Sequence, residues 1–518
     1  MKAKMFVYLV LLLGVWGLTA VHADNAVVGD GTAASCTEAA FEIAFNHVQS
    51  SGGGMITFNC GTATKTIIFS GQKVVTSPMI IDGADKVILS GGNTARLFAV
   101  QTGTLTIRHL TLTNGNGFDI GGGAVWLGSG GLFFAENSII QNNTTNNGPG
   151  SAIYASVFDA QVTLTSSLIQ NNSTNNHGAV NSVGLVTITD STFDNNFAKL
   201  GGGALSVAGI ATIVDTVFTS NTANGTAVPP NYGGGAILVT PGGLVDISGG
   251  RLSSNAITTD EAGGGALDVR GTAILRETLI NNNSAAYSGA IYTSSGEVQL
   301  YDLEVRNNSA VATGALGNAG STVKIEGVTF SGNSDQGEET IFNSGWLTMR
   351  NSTISLNSSN GLFQTGQAVL ENVTFYRNTG VNLYQNSLNA GQTLTLKNVA
   401  IDAAGGGDAC RVGINSVEPI ISLGGNIASD DSCGNYFTQT LDRNETSPDL
   451  GVLADNGGPT QTHLPLAGSA LIDGGVCLST ITVDQRGVAR PAGAACDVGS
   501  VEVSELPNNF IWLPFIKK

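Results

Sequence analysis

Phe193-Asp-Asn-Asn-Phe-Ala-Lys-Leu-Gly-Gly-Gly-Ala-Leu-Ser-Val-Ala-Gly-Ile-Ala-Thr-Ile-Val-Asp-Thr-Val-Phe-Thr-Ser-Asn221 is the stretch that decides the fold. It opens and closes on one phrase, a bulky apolar residue followed three positions later by Asn. The phrase recurs as Phe330/Asn333 and Phe375/Asn378. With Ile, Leu or Val in the apolar slot it recurs at Ile140/Asn143, Ile169/Asn172, Leu252/Asn255, Ile280/Asn283, Val305/Asn308 and Ile354/Asn357. The Asn-to-Asn steps are 29, 24, 25, 34, 28, 25, 25, 24 and 21 residues. A step of this size marks a solenoid, in which one unit is one turn that cannot bury its apolar face alone.

A second phrase keeps step with the first. Gly-Gly-Gly-Ala before an apolar residue reads Gly121 to Val125, Gly201 to Leu205, Gly233 to Ile237 and Gly263 to Leu267. Shorter forms occur at Gly178, Gly289 and Gly314. Between the phrases lie β-branched runs of alternating polarity, such as Leu185-Val-Thr-Ile188 and Ala211-Thr-Ile-Val214, which read as short strands. Two or three such strands per turn, separated by Gly/Asn/Ser bends, predict an all-β chain: a right-handed parallel β-helix of about 13 coils spaced by one strand each. The apolar partner of each Asn points inward. The Asn residues themselves (Asn143, Asn172, Asn196, Asn221, Asn255, Asn283, Asn308, Asn333, Asn357 and Asn378) suit an amide ladder along one bend.

The paired Gly-Gly-Ala-Ile and Phe-x-x-Asn phrases resemble the repeats of polymorphic outer-membrane proteins, within the pectate-lyase-like β-helix superfamily. The resemblance covers roughly residues 100–400. It implies the fold but no single function, because that superfamily includes lyases, hydrolases, adhesins and passive stalks.

The ends differ from the middle. Lys2 and Lys4, the apolar run from Met5 to Leu18 and Val21-His-Ala23 read as a signal peptide over residues 1–23. A cap follows over 24–64, where Ser35-Cys-Thr-Glu38 reads as a capping box opening a helix that plugs the first coil. The solenoid spans 65–405. A C-terminal cap is expected over 406–503 and a tail over 504–518. Within the C-terminal region, Asn456-Gly-Gly-Pro459, Asp484-Gln-Arg-Gly487, Arg490-Pro491 and Cys496-Asp-Val-Gly499 resemble the choice-of-anchor Q region that follows β-helices in exported bacterial proteins. That resemblance implies surface attachment. The six cysteines lie outside the repeat; of fifteen possible pairings the nearest-neighbour set, Cys36 with Cys60, Cys410 with Cys433 and Cys477 with Cys496, is the expectation, with metal ligation as the alternative.

The formal net charge is −17, and losing Lys2 and Lys4 makes it two units more negative. That argues against nucleic acid and anionic membrane as partners. No stretch after the signal is long and apolar enough to span a bilayer as a helix. A secreted, surface-associated protein is the expectation, with an extracellular polysaccharide or a cell-surface component as partner.

Three sets of residues bear on function. The column after Gly-Ala-[Ile/Val/Leu] points outward and carries Trp126, Tyr154 and Tyr292, aromatics suited to stacking on sugar rings. The column six before each Asn holds Asp190, Asp215, Glu277 and Asp302. This is a bend, where such residues are common, but like charges stacked in neighbouring coils could also hold a cation such as calcium (Ca²⁺). No paired-carboxylate phrase of a galacturonan hydrolase is present as such, and His47, His109, His177 and His463 have no carboxylate partner in sequence register. The leading expectation is adhesion or polysaccharide binding without turnover. A polysaccharide lyase or glycoside hydrolase acting on acidic polysaccharide, with dispersed site residues, is the alternative, and a passive stalk the third.

Overall fold

The computed structural model describes residues 23–225, 233–260, 263–337 and 339–503. The expected signal peptide, apart from Ala23, and the tail lie outside the described residues.

The regular coils repeat one circuit. In the coil quoted above, Leu205–Val207 runs along sheet B, Ile210–Val214 and then Val217–Thr219 along sheet A, and Thr222–Ala223 along sheet C. The next coil repeats this with Ile237–Val239, Leu244–Ser248, Arg251–Ser253 and Ala256–Ile257. All inter-coil strand pairings in this region are parallel and in register, so Phe193, Phe218 and Leu252 lie one above another. Sheet A gathers 27 described strands, sheet B 14 and sheet C eight. The chain is a parallel β-helix of about 15 turns, two more than the repeat alone suggests. The extra turns come from both ends. Ala26–Val28 and Gly54–Phe58 already stack on sheet A inside the expected N-terminal cap.

The local reasons are legible. Two strands of sheet A meet at a left-handed residue: Asp190 (φ 50°), Asp215 (φ 47°), Glu277 (φ 51°) and Asp302 (φ 52°) occupy this corner in their coils. Asp and Asn tolerate that conformation better than most side chains. Gly249 fills the same corner at φ 70°, and a Cβ there would sit 2.1 Å from the Asp215 carboxylate. Within each strand, alternate residues fill the interior. Phe193 and Phe218 are fully buried and stack with ring centroids 4.8 Å apart.

The ten ladder asparagines are all completely buried. Asn196 Nδ2 donates to Asn221 Oδ1 at 2.9 Å, and Asn221 Nδ2 to Asn255 Oδ1 at 3.0 Å. From Asn172 onward each Oδ1 also accepts the backbone N–H of the preceding Asn, as from Asn196 to Asn221 at 3.1 Å. The second amide hydrogen goes to a backbone carbonyl, as from Asn221 to Phe193 at 2.9 Å. The series ends where Asn378 Nδ2 donates to Asn382 Oδ1. A polar column can lie in the core because its donors and acceptors are paired.

The N-terminal plug is helix α1 (Glu38–Ser50), burying Phe41, Ala44, Phe45 and Val48. Its cap differs from the expected box. Thr37 is the N-cap and accepts from the Ala40 N–H at 3.2 Å, whereas Ser35 closes the preceding turn by donating to the Thr32 carbonyl. Glu38 instead accepts from Lys73 Nζ at 2.7 Å, tying the plug to the first coil.

The C-terminal region also departs from the expected cap over 406–503. The solenoid continues through Cys410–Val412, Ile420–Ser422 and Ile427–Ala428. Phe437 and Cys433 then close the end of the core. From about residue 443 the chain turns back and lies as a strap along the second strands of sheet A. Gln485 Nε2 donates to Thr329 Oγ1 and Thr460 Oγ1, and Gln485 Oε1 accepts from Thr353 Oγ1. Ser355 Oγ meets His463 Nε2 at 2.8 Å, and Ser500 N–H donates to Thr374 Oγ1. The small polar side chains on this face therefore have partners in the strap. Disulfides join Cys36 to Cys60, Cys410 to Cys433 and Cys477 to Cys496. Each closes a short loop, a constraint of order ~3 kcal/mol on the unfolded chain.

Candidate functional site

The outer face of sheet B is the candidate site. Each of its strands in the regular coils has three residues, and the middle one points away from the core. Register places Trp126 directly beside Tyr154, one coil apart. Beyond them the column runs through Asn181, Ser206 and Leu238 to Asp268, Tyr292 and Gly317. Trp126, Tyr154 and Tyr292 are half-buried, not freely exposed. The Trp126 ring lies over Gly128, and Tyr154 packs beside Gly121, so backbone without side chains forms part of their seats. Burial pushes the Tyr154 phenol above its ordinary pKa.

Tyr292 sits in a polar cluster. Arg270 stacks over its ring at 5.2 Å, and Tyr287 meets it edge-on at 6.4 Å. Arg270 Nε donates to Asp268 Oδ1 at 2.7 Å, while Asp268 Oδ2 accepts the Gly233 N–H at 2.8 Å. Asp268 is fully buried. Burial raises its carboxyl pKa, and the Arg270 guanidinium opposes that shift. Asp268 occupies the same column as Trp126, Tyr154 and Tyr292. Nothing in its local sequence marks it as a buried acid, because its partners come from other coils and from Arg270 two residues on.

The column continues where the glycine phrase has faded. Phe342, Phe363 and Tyr384 follow Gly317 in strict register, with Arg411 next. The glycine phrase that marks the column ends with its shorter form at Gly314, so the sequence reading missed these three. Their signal is an apolar residue followed by an aromatic, Ile341-Phe, Leu362-Phe and Leu383-Tyr, at steps of 21 residues. Beneath them a second amide column lines the adjoining corner. Asn318 Nδ2 donates to Asn343 Oδ1 at 2.6 Å, and Asn343 Nδ2 to Gln364 Oε1 at 2.7 Å.

The acidic column is at the corner of sheet A, away from the aromatics. Asp190, Asp215, Glu277 and Asp302 are exposed there. Although the residue is exposed, its carboxylate is partly desolvated, and that desolvation, followed by repulsion from Glu326 and Glu277, raises the Asp302 pKa. Among the described residues no three His, Cys, Asp or Glu side chains converge as a metal site. Two histidines do find carboxylates, contrary to the sequence reading. His109 Nδ1 lies 3.6 Å from Asp82 and His47 Nε2 3.9 Å from Asp24, both near the surface. The partners were missed because each is supplied by a neighbouring layer at irregular separation.

The choice-of-anchor-like phrases hold the strap together. Asp484 pairs with Arg486 at 2.8 Å, and Arg490 with Glu502 at 2.8 Å, both pairs largely buried. Asp497 accepts the N–H groups of Asp473 and Val503, and burial lifts its pKa to about 6.

No protein-family model matches the chain, and no curated protein matches it. Among solved structures it is similar to one described as the crystal structure of pectate lyase Pel9A. Identity is 12%, the TM-score 0.31, and the match covers 93% of this chain and 98% of that one. The parallel β-helix itself stands on the strand register above. No described helix is long and apolar enough to cross a membrane.

Proposed function

We propose that this chain is a secreted, surface-associated β-helix that retains extracellular polysaccharide without turning it over. The observation that carries the reading is the register of Trp126 on Tyr154, two aromatic faces in one outward column on a flat parallel sheet. Aromatic faces stack on apolar ring faces while the sheet fixes their spacing, so little order is lost on binding. The three disulfides suit an oxidising, extracytoplasmic compartment. The reading of residues 1–23 as a signal peptide supports the same placement. The choice-of-anchor resemblance supports attachment through the C-terminal region, and the strap would then hold the rod flank-on to its anchor.

The test is retention of purified protein on a panel of immobilised polysaccharides, alongside reducing-end and unsaturated-product assays. Trp126→Ala with Tyr154→Ala should weaken retention by about tenfold, taking ~0.5–1.5 kcal/mol per aromatic contact. The fold should persist, since neither ring belongs to the interior. Release of oligosaccharides by purified protein would overturn the proposal in favour of a lyase or hydrolase. Absence of both retention and turnover would leave a stalk.

A further inference from the structure

We infer that Phe342, Phe363 and Tyr384 form a second carbohydrate-binding strip on sheet B, and that its ligand is an uncharged polysaccharide lying along the rod axis. This rests on the reading that the outward column of sheet B takes sugar, but it concerns other residues and names the ligand class.

The strip supplies one aromatic ring per coil over three consecutive coils, in strict register. Phe342 and Phe363 lie with centroids 6.0 Å apart and planes 21° from parallel, and Phe363 meets Tyr384 edge-on at 4.9 Å. These rings are half-buried, yet the interior does not need them. On the same strands Ile341, Leu362 and Leu383 fill the core, while Asn343, Gln364 and Gln385 occupy the adjoining corner. The C-terminal strap is bonded to sheet A, a different face of the rod. An aromatic at each rung costs an outer surface its solubility. Gly317, one rung before Phe342, keeps the column low: a Cβ there would meet Ser288 Oγ at 2.3 Å and the Tyr292 ring at 3.3 Å. Gly317 thus leaves a shallow gap between Tyr292 and the first ring of the strip, Phe342.

Charge selects the ligand. The chain carries a formal charge of −17, which repels a polyanionic chain at long range. The cations bordering the strip are neutralised locally. Arg411 stacks over Tyr384 at 5.8 Å and pairs with Asp408 at 2.9 Å, while Arg270 pairs with the buried Asp268. A uronate would find no unpaired guanidinium among these two. A neutral glycan needs only ring faces and hydroxyl partners, and spacing set by the sheet at about 4.8 Å per rung presents them in a line.

The experiment titrates intact protein with neutral β-linked hexose hexasaccharides and, separately, with hexagalacturonate, reading saturation-transfer NMR and retention on the parent polysaccharides. Expected is binding of a neutral oligosaccharide that weakens at least tenfold in Phe363→Ala/Tyr384→Ala. Phe363→Leu, which keeps apolar volume without a ring face, should weaken it too, and unchanged thermal unfolding would exclude a folding defect. Saturating the aromatic protons of the wild-type protein should transfer signal to the ring protons of the bound oligosaccharide. If binding is lost only in Trp126→Ala/Tyr154→Ala, the second strip is refuted while the proposed function stands. Preference for hexagalacturonate refutes the ligand class. Binding of neither ligand by the wild-type protein removes both readings.

Discussion

Replacing Asn221 by Ala removes one rung from the middle of the buried amide ladder. Its Oδ1 accepts from the Asn196 N–H at 3.1 Å and from Asn196 Nδ2 at 2.9 Å, and both donors are buried. After truncation the Asn196 N–H loses this acceptor, and Asn196 Nδ2 retains only the Ile169 carbonyl. The Phe193 carbonyl also loses its amide donor. Each deprived buried donor costs about 1–3 kcal/mol, so the two donors on Asn196 alone set a loss of ~2–6 kcal/mol. Asn143 offers an internal comparison. Its Oδ1 accepts from the Gly115 N–H alone, so Asn143→Ala should cost about half as much. Asn221→Asp keeps the acceptor but turns a carboxylate oxygen toward Asn255 Oδ1, and should be the more damaging change near neutral pH. A solenoid opens in segments, so hydrogen exchange resolved by coil is the assay, with limited proteolysis beside it. Protection should fall first in the coils holding Asn196, Asn221 and Asn255. Equal, small effects at Asn221 and Asn143 would refute the view that the ladder is held by mutual satisfaction of its amides.

Other outcomes are open to simpler measurements. Phe218→Ala removes a ring stacked on Phe193 in mid-rod, where the cavity cannot relax from an end, and should cost about 3–5 kcal/mol with proteolysis starting at that coil. Burial lowers the His463 pKa to about 4, so its folded form stays neutral where the unfolded one protonates, and stability is lost as pH falls from about 6.5 to 4. Asp497, lifted to about 6 from the ordinary aspartate value of 3.8, has the opposite sign: the folded form holds the proton longer, and stability is lost as pH rises from about 4 to 6. The two slopes, ~3 kcal/mol each, offset in the same strap. Relative to wild type, exchange protection of the strap should therefore fall as pH rises from 4 to 6 in His463→Gln and climb over that range in Asp497→Asn; slopes of one sign would contradict this. Asp302→Asn should raise the melting temperature at neutral pH by relieving repulsion from Glu326 and Glu277. Millimolar Ca²⁺ at constant ionic strength should raise the wild-type value in the same direction, and a response kept in Asp302→Asn would place the ion elsewhere.

The fold was legible because one coil cannot be stable alone. Stacking forces chemically equivalent residues to recur, and Asn196, Asn221 and Phe193, Phe218 print that period on the chain. The left-handed corner was legible for the same reason, since Asp, Asn and Gly answer one backbone demand. The strap was not. Its contacts, such as Thr353 with Gln485, join residues 132 apart by single polar bonds that no periodicity announces. Trp126 and Tyr154 could be placed beside each other by counting from the glycine phrase. Phe342, Phe363 and Tyr384 escaped because Gly-Gly-Ala is replaced there by Thr340, Gly361 and Asn382, and the marker used for counting was gone. Asp268 escaped because its burial and its Gly233 partner come from the stacking of coils, which its residue type does not announce.

The ladder has a consequence for how such a chain can change. Coils of 34 residues (Asn221 to Asn255) and 21 residues (Asn357 to Asn378) are closed by the same amide bond, at 3.0 and 2.8 Å. Distance along the axis is set by hydrogen-bonded rungs, whatever length of chain connects them. Insertions can therefore accumulate between rungs without lengthening the rod, while duplicating a unit from one Asn to the next adds a rung that bonds to old neighbours at once. Inheritance by whole turns, with free variation between them, is the mode of divergence this architecture permits. Family resemblance would then persist in the rungs after the rest of each coil has drifted beyond recognition.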